Sequence, residues 1–331
     1  MKKLKEVINI VKDKASQSKA AILSKRKTLS LLRATTHDSF NPPTHKHLTT
    51  LLFTGDGSRA TASTAVELLM DRLQTTHNSA VALKCLIAVH HIIKHGTFIL
   101  RDQLSVYPYT GGRNYLNLSN FIDKTSPVSW ELSFWVRWFA QYIEHLLCVS
   151  RTLGFFLCET TPFHKTQQER VLGFTHSDLL KETESLLDLM EVIGKRPTTP
   201  STRGQKNKVV VEIIELVEND GVVAMGEVLV RVKEFGERER LGCLGFGEVV
   251  ELVYVLKRLE MCKGRITMMD VAEEKRFWDS VRELKEKVGK MKVFREEGKV
   301  HRTVRQERAT ESDRFDGRVV SSIQFPSSRF L

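Results

Sequence analysis

The sequence predicts an all-α fold. Apolar residues recur at the helical period of 3.6 in nearly every segment, and only eight of the 331 residues are proline. The hydrophobic fraction of 41% and the charged fraction of 27% are typical of a globular protein with a packed core. We therefore expect a series of long, mostly uninterrupted helices.

The first segment, MKKLKEVINIVKDKA, predicts an amphipathic helix with a basic side. Its apolar face carries Leu4, Val7, Ile8 and Val11. The lysines on its other face include Lys2, Lys3 and Lys12. Two interpretations have equal weight: the helix lies in a membrane interface with its apolar face inward, or this face packs on the helical body.

Three longer helices follow in the sequence. Thr64 and Glu67 have the spacing of a capping box, ahead of an apolar stripe. Residues 81–89 are apolar on nearly all sides, as in a helix buried between neighbours, and Gly96 fits a helix stop after them. We expect this helix to be central. A long aromatic-rich helix is predicted to begin near Ser129.

The C-terminal half is predicted to contain four more helices and a tail. Residues 195–208 indicate a surface loop because they are rich in Pro, Thr, Ser and Gly. The expected helices cover about 208–217, 220–238, 246–262 and 270–289. After residue 290 the mixed-charge, Ser/Arg-rich composition predicts disorder.

The predicted organisation therefore has three parts. Residues 1–24 form the basic amphipathic helix, residues 25–289 form a helical domain with a loop near 195–208, and residues 290–331 form a disordered tail.

Cysteine spacing and hydropathy exclude some protein classes. The five cysteines are widely spaced and never form a CxxC pair, so we interpret them as reduced core thiols. They are Cys85, Cys148, Cys158, Cys243 and Cys262. No stretch approaches the ~20 apolar residues of a membrane-spanning helix, and charges replace the apolar core of a signal peptide. We expect a cytosolic chain.

No motif favours catalysis. His91 and His95 are one helical turn apart, as zinc ligands would be, but the Glu of a metalloprotease helix and a third ligand are missing. GDGSRA, residues 55–60, resembles a dinucleotide-binding turn but lacks the βαβ unit that this chemistry requires. Walker, GxSxG and Cys–His patterns are absent as well. We predict no enzyme activity, no metal site and no cofactor.

The net charge of +11 predicts an acidic partner, either nucleic acid or an anionic membrane surface. Residues 1–50 contain eleven Lys and Arg against three Asp and Glu, a net charge of +8 at one end. This clustering, and the lack of aromatic platforms of the RNA-binding type, count against nucleic acid. A basic helical scaffold that binds nucleic acid, or only protein partners, remains the alternative.

Residues 33–48, RATTHDSFNPPTHKHL, place cations around a proline-stiffened turn. Arg33 lies at the end of one helical run, and Lys46 and His47 open the next. Cations around a helix N-terminus can bind phosphate groups through side chains and free backbone N–H groups together. On the residues alone, a solvated basic surface explains the turn equally well.

Three stretches occur in the order RATTHDSFNPPTHKHL, VALKCLIAVHHIIKHG and NYLNLSNFIDK. Together they resemble the ANTH domain of clathrin assembly proteins such as CALM, and above all those of plants. The resemblance is strong over about residues 9–155 and collinear to about 289. It implies an ANTH/ENTH-like superhelical solenoid of stacked antiparallel helices that binds phosphatidylinositol 4,5-bisphosphate and acts in clathrin-coated vesicle formation and endocytosis.

The resemblance also implies the residues that hold the lipid headgroup. Arg33, Lys46 and His47 match basic positions of the family pattern. The loop is one residue longer than in that pattern, and Thr44 stands where the family has a further Lys. His45 is expected to replace this Lys in part when it is protonated.

The same resemblance implies three partners: clathrin heavy chain, the adaptor complex and a vesicle SNARE. It also implies that the protein acts at the cytosolic side of coated pits and vesicles, and that the Golgi apparatus is a further compartment. Residues 290–331 contain no DPF, NPF or clathrin-box peptide. SDLL at 177–180 and LLDLM at 186–190 look like such peptides, but they lie on an apolar helical stripe and are better explained as core. We therefore expect clathrin contact to be weak or indirect.

Overall fold

The computed structural model is all-α, as the sequence predicts. It describes residues 2–22, 26–54, 56–108, 111, 114–157, 170–198, 207–240, 242–264 and 271–290. These ranges contain eleven helices and no β-strand. The predicted tail after residue 290 lies outside them, as do residues 199–206 of the predicted loop.

The helices stack in chain order. They are α1 (Lys2–Ile22), α2 (Arg26–Ala34), α3 (His45–Thr54), α4 (Arg59–Thr75), α5 (Ser79–His95), α6 (Phe98–Ser105), α7 (Pro127–Leu153), α8 (His176–Ile193), α9 (Lys208–Arg240), α10 (Phe246–Met261) and α11 (Val271–Gly289). Most contacts join helices one to three places apart, and contact between α5 and α9 is an exception. This is the superhelical stack that the sequence predicted. None of the described helices is both long and apolar enough to cross a membrane.

The central helix is α5, as predicted. All of its residues except His91 and His95 are buried. The Asn78 side chain caps the N-terminus by accepting a hydrogen bond from the Val81 N–H at 3.1 Å. Gly96 is the C-cap, and its N–H donates to the Ile92 carbonyl at 2.9 Å. Around α5 pack α2, α3, α4, α6, α7 and α9.

A buried carboxylate joins three helices in the core. Asp220 of α9 lies 2.7 Å from His90 Nε2, accepts a hydrogen bond from the Tyr142 hydroxyl at 2.5 Å, and lies 2.7 Å from Lys94 Nζ. Burial by itself raises the pKa of Asp220, but His90 and Lys94 hold the pKa of this carboxyl below its usual value. The cluster thereby fixes α9 against α5 and α7.

The predicted capping box at the start of α4 is wrong. The helix begins at Arg59, and the Ser58 hydroxyl caps it by accepting from the Thr61 N–H at 3.2 Å. Thr64 lies inside the helix, where its hydroxyl donates to the Ala60 carbonyl at 2.7 Å. A Ser or Thr hydroxyl inside a helix can donate to the carbonyl four residues earlier, which satisfies its hydrogen bond there. The predicted stripe is buried: Val66, Leu69, Met70 and Leu73.

Two further predicted boundaries change. No break separates residues 208–217 from 220–238, since α9 runs without interruption from Lys208 to Arg240. Asp220 and Gly221 disfavour helix locally, but both are buried, and the Asp220 carboxylate is used by the core cluster. The aromatic-rich helix begins at Pro127, slightly before the predicted start.

The cysteine interpretation holds only in part. Cys85 and Cys262 are buried, and burial raises the pKa of the Cys85 thiol to about 12. Cys148 and Cys243 are exposed, because the first lies on the solvent side of α7 and the second in the turn before α10. Cys158 lies outside the described residues.

The peptide-like segments of α8 belong to the core, as predicted. Their buried apolar residues are Leu179, Leu180, Leu186, Leu187, Leu189 and Met190. A peptide motif must be accessible to bind a partner, so these segments cannot act as clathrin or adaptor peptides while α8 is folded.

We predict that Asp220→Ala lowers the free energy of unfolding by about 3–5 kcal/mol, because it leaves Lys94 and His90 buried without their counter-charge. Urea denaturation followed by circular dichroism measures the loss. The matched control is Glu218→Ala on the same helix, whose partner Arg196 lies 2.9 Å away on the surface. The control should cost less than about 1 kcal/mol.

The contribution of Asp220 should also depend on pH. Folding lowers the pKa of this carboxyl, so its stabilising effect is complete above the unfolded value of about 4 and is lost as the pH falls further. Asp220→Asn and the wild type should therefore converge in stability below about pH 4. A constant difference down to the acid transition would contradict the charged cluster.

Candidate phosphate-binding site at the start of α3

The loop between α2 and α3 is fixed by side chains from other helices. Arg72 of α4 donates to the Thr35 hydroxyl at 2.5 Å and to the Thr35 carbonyl at 2.7 Å. Lys84 of α5 is buried and donates to the Thr36 hydroxyl at 2.8 Å. Burial lowers the pKa of Lys84 to about 8. These bonds hold Thr35 and Thr36, which begin the loop shortly after Arg33.

The middle of the loop is tied to α1 and to the start of α9. His37 donates from its N–H to Asp13 at 2.9 Å, and its ring Nδ1 lies 2.6 Å from the other oxygen of that carboxylate. The Asn207 amide donates to the Ser39 carbonyl at 2.8 Å, and the Val209 N–H donates to the next carbonyl at 3.2 Å. The loop is thus held in place from Thr35 to Phe40.

The N-terminus of α3 offers free donors. Thr44 precedes the helix, and its hydroxyl lies 3.4 Å from the His47 N–H as a cap. The N–H groups of His45 and Lys46 have no acceptor within the described part of the chain. Free N–H groups and the helix dipole make such a terminus attractive to anions. Thr44 therefore contributes a helix cap where the family pattern has a Lys.

Three of the predicted cations meet at this terminus. Arg33 and Lys46 are exposed, and neither forms an ion pair with an acidic residue among those described. Partial burial lowers the pKa of His47, and the positive charges of Arg33 and Lys46 lower it further. Because both positive charges act on the same imidazole, we treat the three side chains as one site, the α3 site.

His45 has different neighbours. Its ring lies edge-on to that of His91 on α5, with centroids 6.0 Å apart, and its Nδ1 lies 3.3 Å from the Thr49 hydroxyl. The His91 and His95 rings are 4.6 Å apart, and burial followed by these neighbouring rings lowers the pKa of His91 to about 4. Within the described ranges, no three His, Cys, Asp or Glu side chains are arranged to hold a metal ion. The suggested role of His45 remains a prediction.

The apolar face of α1 is open to solvent. Val7 is 54% exposed, Ile8 44% and Val11 59%, and Lys12 is also exposed. Because Val7 and Val11 are this exposed, the packing interpretation is wrong for them. α1 is instead joined to the body through contacts with α2 and through Asp13. The side chains of Lys2, Lys3 and Leu4 lie outside the described part of the molecule.

The residues that hold the loop were not found from the sequence. Asp13, Arg72, Lys84 and Asn207 lie between 24 and 168 residues from their partners in the loop. The only local signal was the run TTHD, in which four short polar side chains follow the end of a helix. Such a run indicates side-chain bonding but does not identify the partners.

Comparison with known proteins finds relatives of one family. The family model for the ANTH domain matches residues 28–217, more than half of the chain. A protein of Arabidopsis thaliana named "putative clathrin assembly protein" is 46% identical, over 98% of this chain and 93% of its own length. Two others of the same name and organism are each 32% identical, over 80% and 79% of this chain and 91% and 78% of their own lengths.

We predict that Arg33→Gln and Lys46→Gln each raise the pKa of His47, because each removes a positive charge that opposes its protonation. An NMR titration of the histidine rings, assigned with a His47→Gln variant, measures this change. Lys181→Gln on the exposed side of α8 is the control and should leave it unchanged. If Arg33→Gln has no effect on His47, the two side chains do not share a site.

Proposed function

Because the chain belongs to the ANTH domain family, we propose that it is a membrane adaptor that binds phosphatidylinositol 4,5-bisphosphate and takes part in the assembly of clathrin coats. It acts without catalysis, as a peripheral protein on the cytosolic side of coated pits and vesicles during endocytosis. The observation that carries this proposal is the convergence of Arg33 and Lys46 on His47 at the start of α3.

The α3 site suits a headgroup with two phosphates. Phosphate oxygens can accept from the Arg33 guanidinium, the Lys46 ammonium and the free N–H groups at the helix start. An arriving phosphate also stabilises protonated His47, whose charge the two neighbouring cations disfavour in the free protein. The bound anion therefore relieves repulsion that the folded chain maintains.

Selectivity requires this fixed arrangement, whereas simple attraction does not. A basic residue near an anionic membrane contributes on the order of 1 kcal/mol, so the net +8 of residues 1–50 supplies several kcal/mol for any anionic lipid. Donors held by the anchored loop add a preference for closely spaced phosphates.

α1 supplies a second contact with the membrane. Its exposed face carries Val7, Ile10 and Val11, and lysines lie beside them. A helix of this kind lies in the interface with its apolar side chains among the acyl chains. In this proposal residues 1–24 bind the interface, residues 25–289 form the headgroup-binding domain and residues 290–331 form a tail.

The partners belong to the same proposal. Clathrin and the adaptor complex contact the protein weakly or indirectly, because the tail lacks their usual peptides and the similar segments of α8 are buried. A vesicle SNARE is a further partner, and the Golgi apparatus is a second compartment. Retention of clathrin by residues 290–331 alone, as strongly as by the whole chain, would contradict the weak contact.

We predict that Lys46→Glu combined with His47→Ala abolishes the preference for phosphatidylinositol 4,5-bisphosphate over phosphatidylserine. The double change removes two headgroup donors but leaves most lysines of the N-terminal region. Residual binding to any anionic vesicle should remain and should weaken with salt. Vesicle flotation at about 0.15 M salt measures both effects, since attraction between distant charges is then largely screened.

The matched control for this variant is Lys181→Glu with His145→Ala, which makes the same change of residue types on α8 and α7. It should retain the full headgroup preference. If the α3 variant also retains it, the headgroup site lies elsewhere. A nucleic-acid shift assay at the same salt tests the alternative class of partner.

We predict that Val7→Ser with Val11→Ser weakens vesicle binding without changing the melting temperature. Each exposed valine loses about 1 kcal/mol of transfer free energy, so the partition should fall roughly tenfold to thirtyfold. Val106→Ser with Val250→Ser is the control, because those valines are 48% and 42% exposed outside α1. A large loss of stability in the α1 variant would instead show that these valines pack on the body.

A further inference from the structure

A cavity of about 340 Å³ lies between the end of α4 and the loop before α7. We name it the amide cavity, because four of its lining side chains are carboxamides: Gln74, Asn114, Asn117 and Asn120. None of the α3 site residues lines it. Its volume is near the lower end of the usual range for a small-molecule site, roughly 300–1,000 Å³, so a ligand that fills it is compact.

The lining of the amide cavity is polar but carries no acidic side chain, lysine or arginine. Among the described residues, its hydrogen-bonding side chains are the four carboxamides together with Thr76, His77 and Ser119. A charged ligand that leaves water needs an opposite charge to offset its lost hydration. The lining therefore favours an uncharged ligand that has many hydrogen-bonding groups.

Hydrogen bonds within the protein hold the loop wall of the cavity in place. The Asn114 amide donates to Glu144 of α7 at 2.5 Å, and its oxygen accepts from the Leu116 N–H at 2.9 Å. The Gln74 amide donates to the Tyr115 carbonyl and so joins α4 to the loop. Because the wall is already ordered, a ligand that binds there pays less for ordering it.

Other polar groups of the lining keep bonding capacity for a ligand. The Asn117 oxygen accepts from the N–H and the hydroxyl of Ser119, at 3.4 and 2.8 Å, and its NH2 group has no acceptor within the described ranges. The Gln74 oxygen, the Asn120 carboxamide and the His77 ring likewise have no hydrogen-bond partner in the described part of the chain. Both donors and acceptors are therefore available, and they come from both walls.

Apolar side chains form the inner side of the amide cavity. Leu73 and Leu118 are buried, and Phe121 is partly buried against the core. Asn117 and Asn120 are exposed, so they lie at the opening. A ligand that enters therefore meets an apolar surface beneath it and hydrogen-bonding groups around its edge.

We propose that the amide cavity binds an uncharged sugar ring. The C–H groups of such a ring can pack on Phe121 and the two leucines, and its hydroxyls, which both donate and accept, can pair with the carboxamides. An extended peptide also carries donors and acceptors, but it continues in both directions and is less suited to a compact cavity. This site goes beyond the proposed function and does not depend on the α3 site.

NMR titration of the full chain with methyl β-D-glucopyranoside tests the proposal. A compact neutral ligand is expected to bind with a Kd on the order of 1 mM, and the side-chain NH2 signals of Asn117 should shift to saturation. Asn120→Ala with His77→Ala should weaken this binding at least about fivefold, because two hydrogen-bonding groups are lost. Both side chains are exposed, so circular dichroism should show an unchanged fold.

Asn219→Ala with His145→Ala is the matched control, because it changes the same residue types on α9 and α7, outside the cavity. It should bind the glucoside as the wild type does. Lys46→Glu with His47→Ala should also bind the glucoside normally, so a failure of the α3 site can be told apart from a failure of the amide cavity.

Flotation with phosphatidylcholine vesicles that contain glucosylceramide identifies the source of the sugar. Vesicle binding that requires glucosylceramide and is lost in the cavity variant indicates a glycolipid headgroup. Binding of the free glucoside without such vesicle binding indicates a soluble sugar.

Two results would overturn the proposal. In the first, the Asn117 signals do not respond to the glucoside, or they respond equally in the cavity variant and its matched control. In the second, N-acetyl-triglycine amide shifts these signals and the glucoside does not, in which case the cavity binds a peptide main chain instead.

Discussion

Fifteen of the seventeen residues of α5 are buried, so this helix needs neighbours on every side. Burial extends to Lys84, His90 and Lys94, and a buried polar group is costly unless it is hydrogen-bonded. Two partners from different parts of the chain serve these three side chains: Thr36 binds Lys84, and Asp220 binds His90 and Lys94. The need to hydrogen-bond buried polar groups therefore links the core of the stack to the loop after α2.

That connection explains how like charges remain together on the surface. Arg33 and Lys46 both oppose the protonation of His47, and a free loop would let these side chains separate. The loop is instead held by Lys84 beneath it and by Arg72 beside it. Stability generated in the core therefore maintains a cluster that is unfavourable in the absence of an anion.

α1 is attached to the rest of the domain on one side only. Its connection to the body depends on contacts with α2 and on the carboxylate of Asp13 at His37, while its apolar face stays in solvent. A helix that is attached at one side and open at the other can meet a bilayer without unfolding the domain.

The sequence by itself determined the helices with a strong period, including α5 and the buried stripe of α4, and it placed Arg33, Lys46 and His47 around one turn. Period and cap signals act over a few residues, so they can be detected locally. Only the tertiary structure decided that α9 continues through Asp220, that the His45 ring lies against α5, and which distant side chains hold the loop. These features depend on contacts between residues far apart in the chain. The free energy lost when a buried charge loses its partner is several times larger than the helix preference of a single residue, so tertiary contacts can override the local preference.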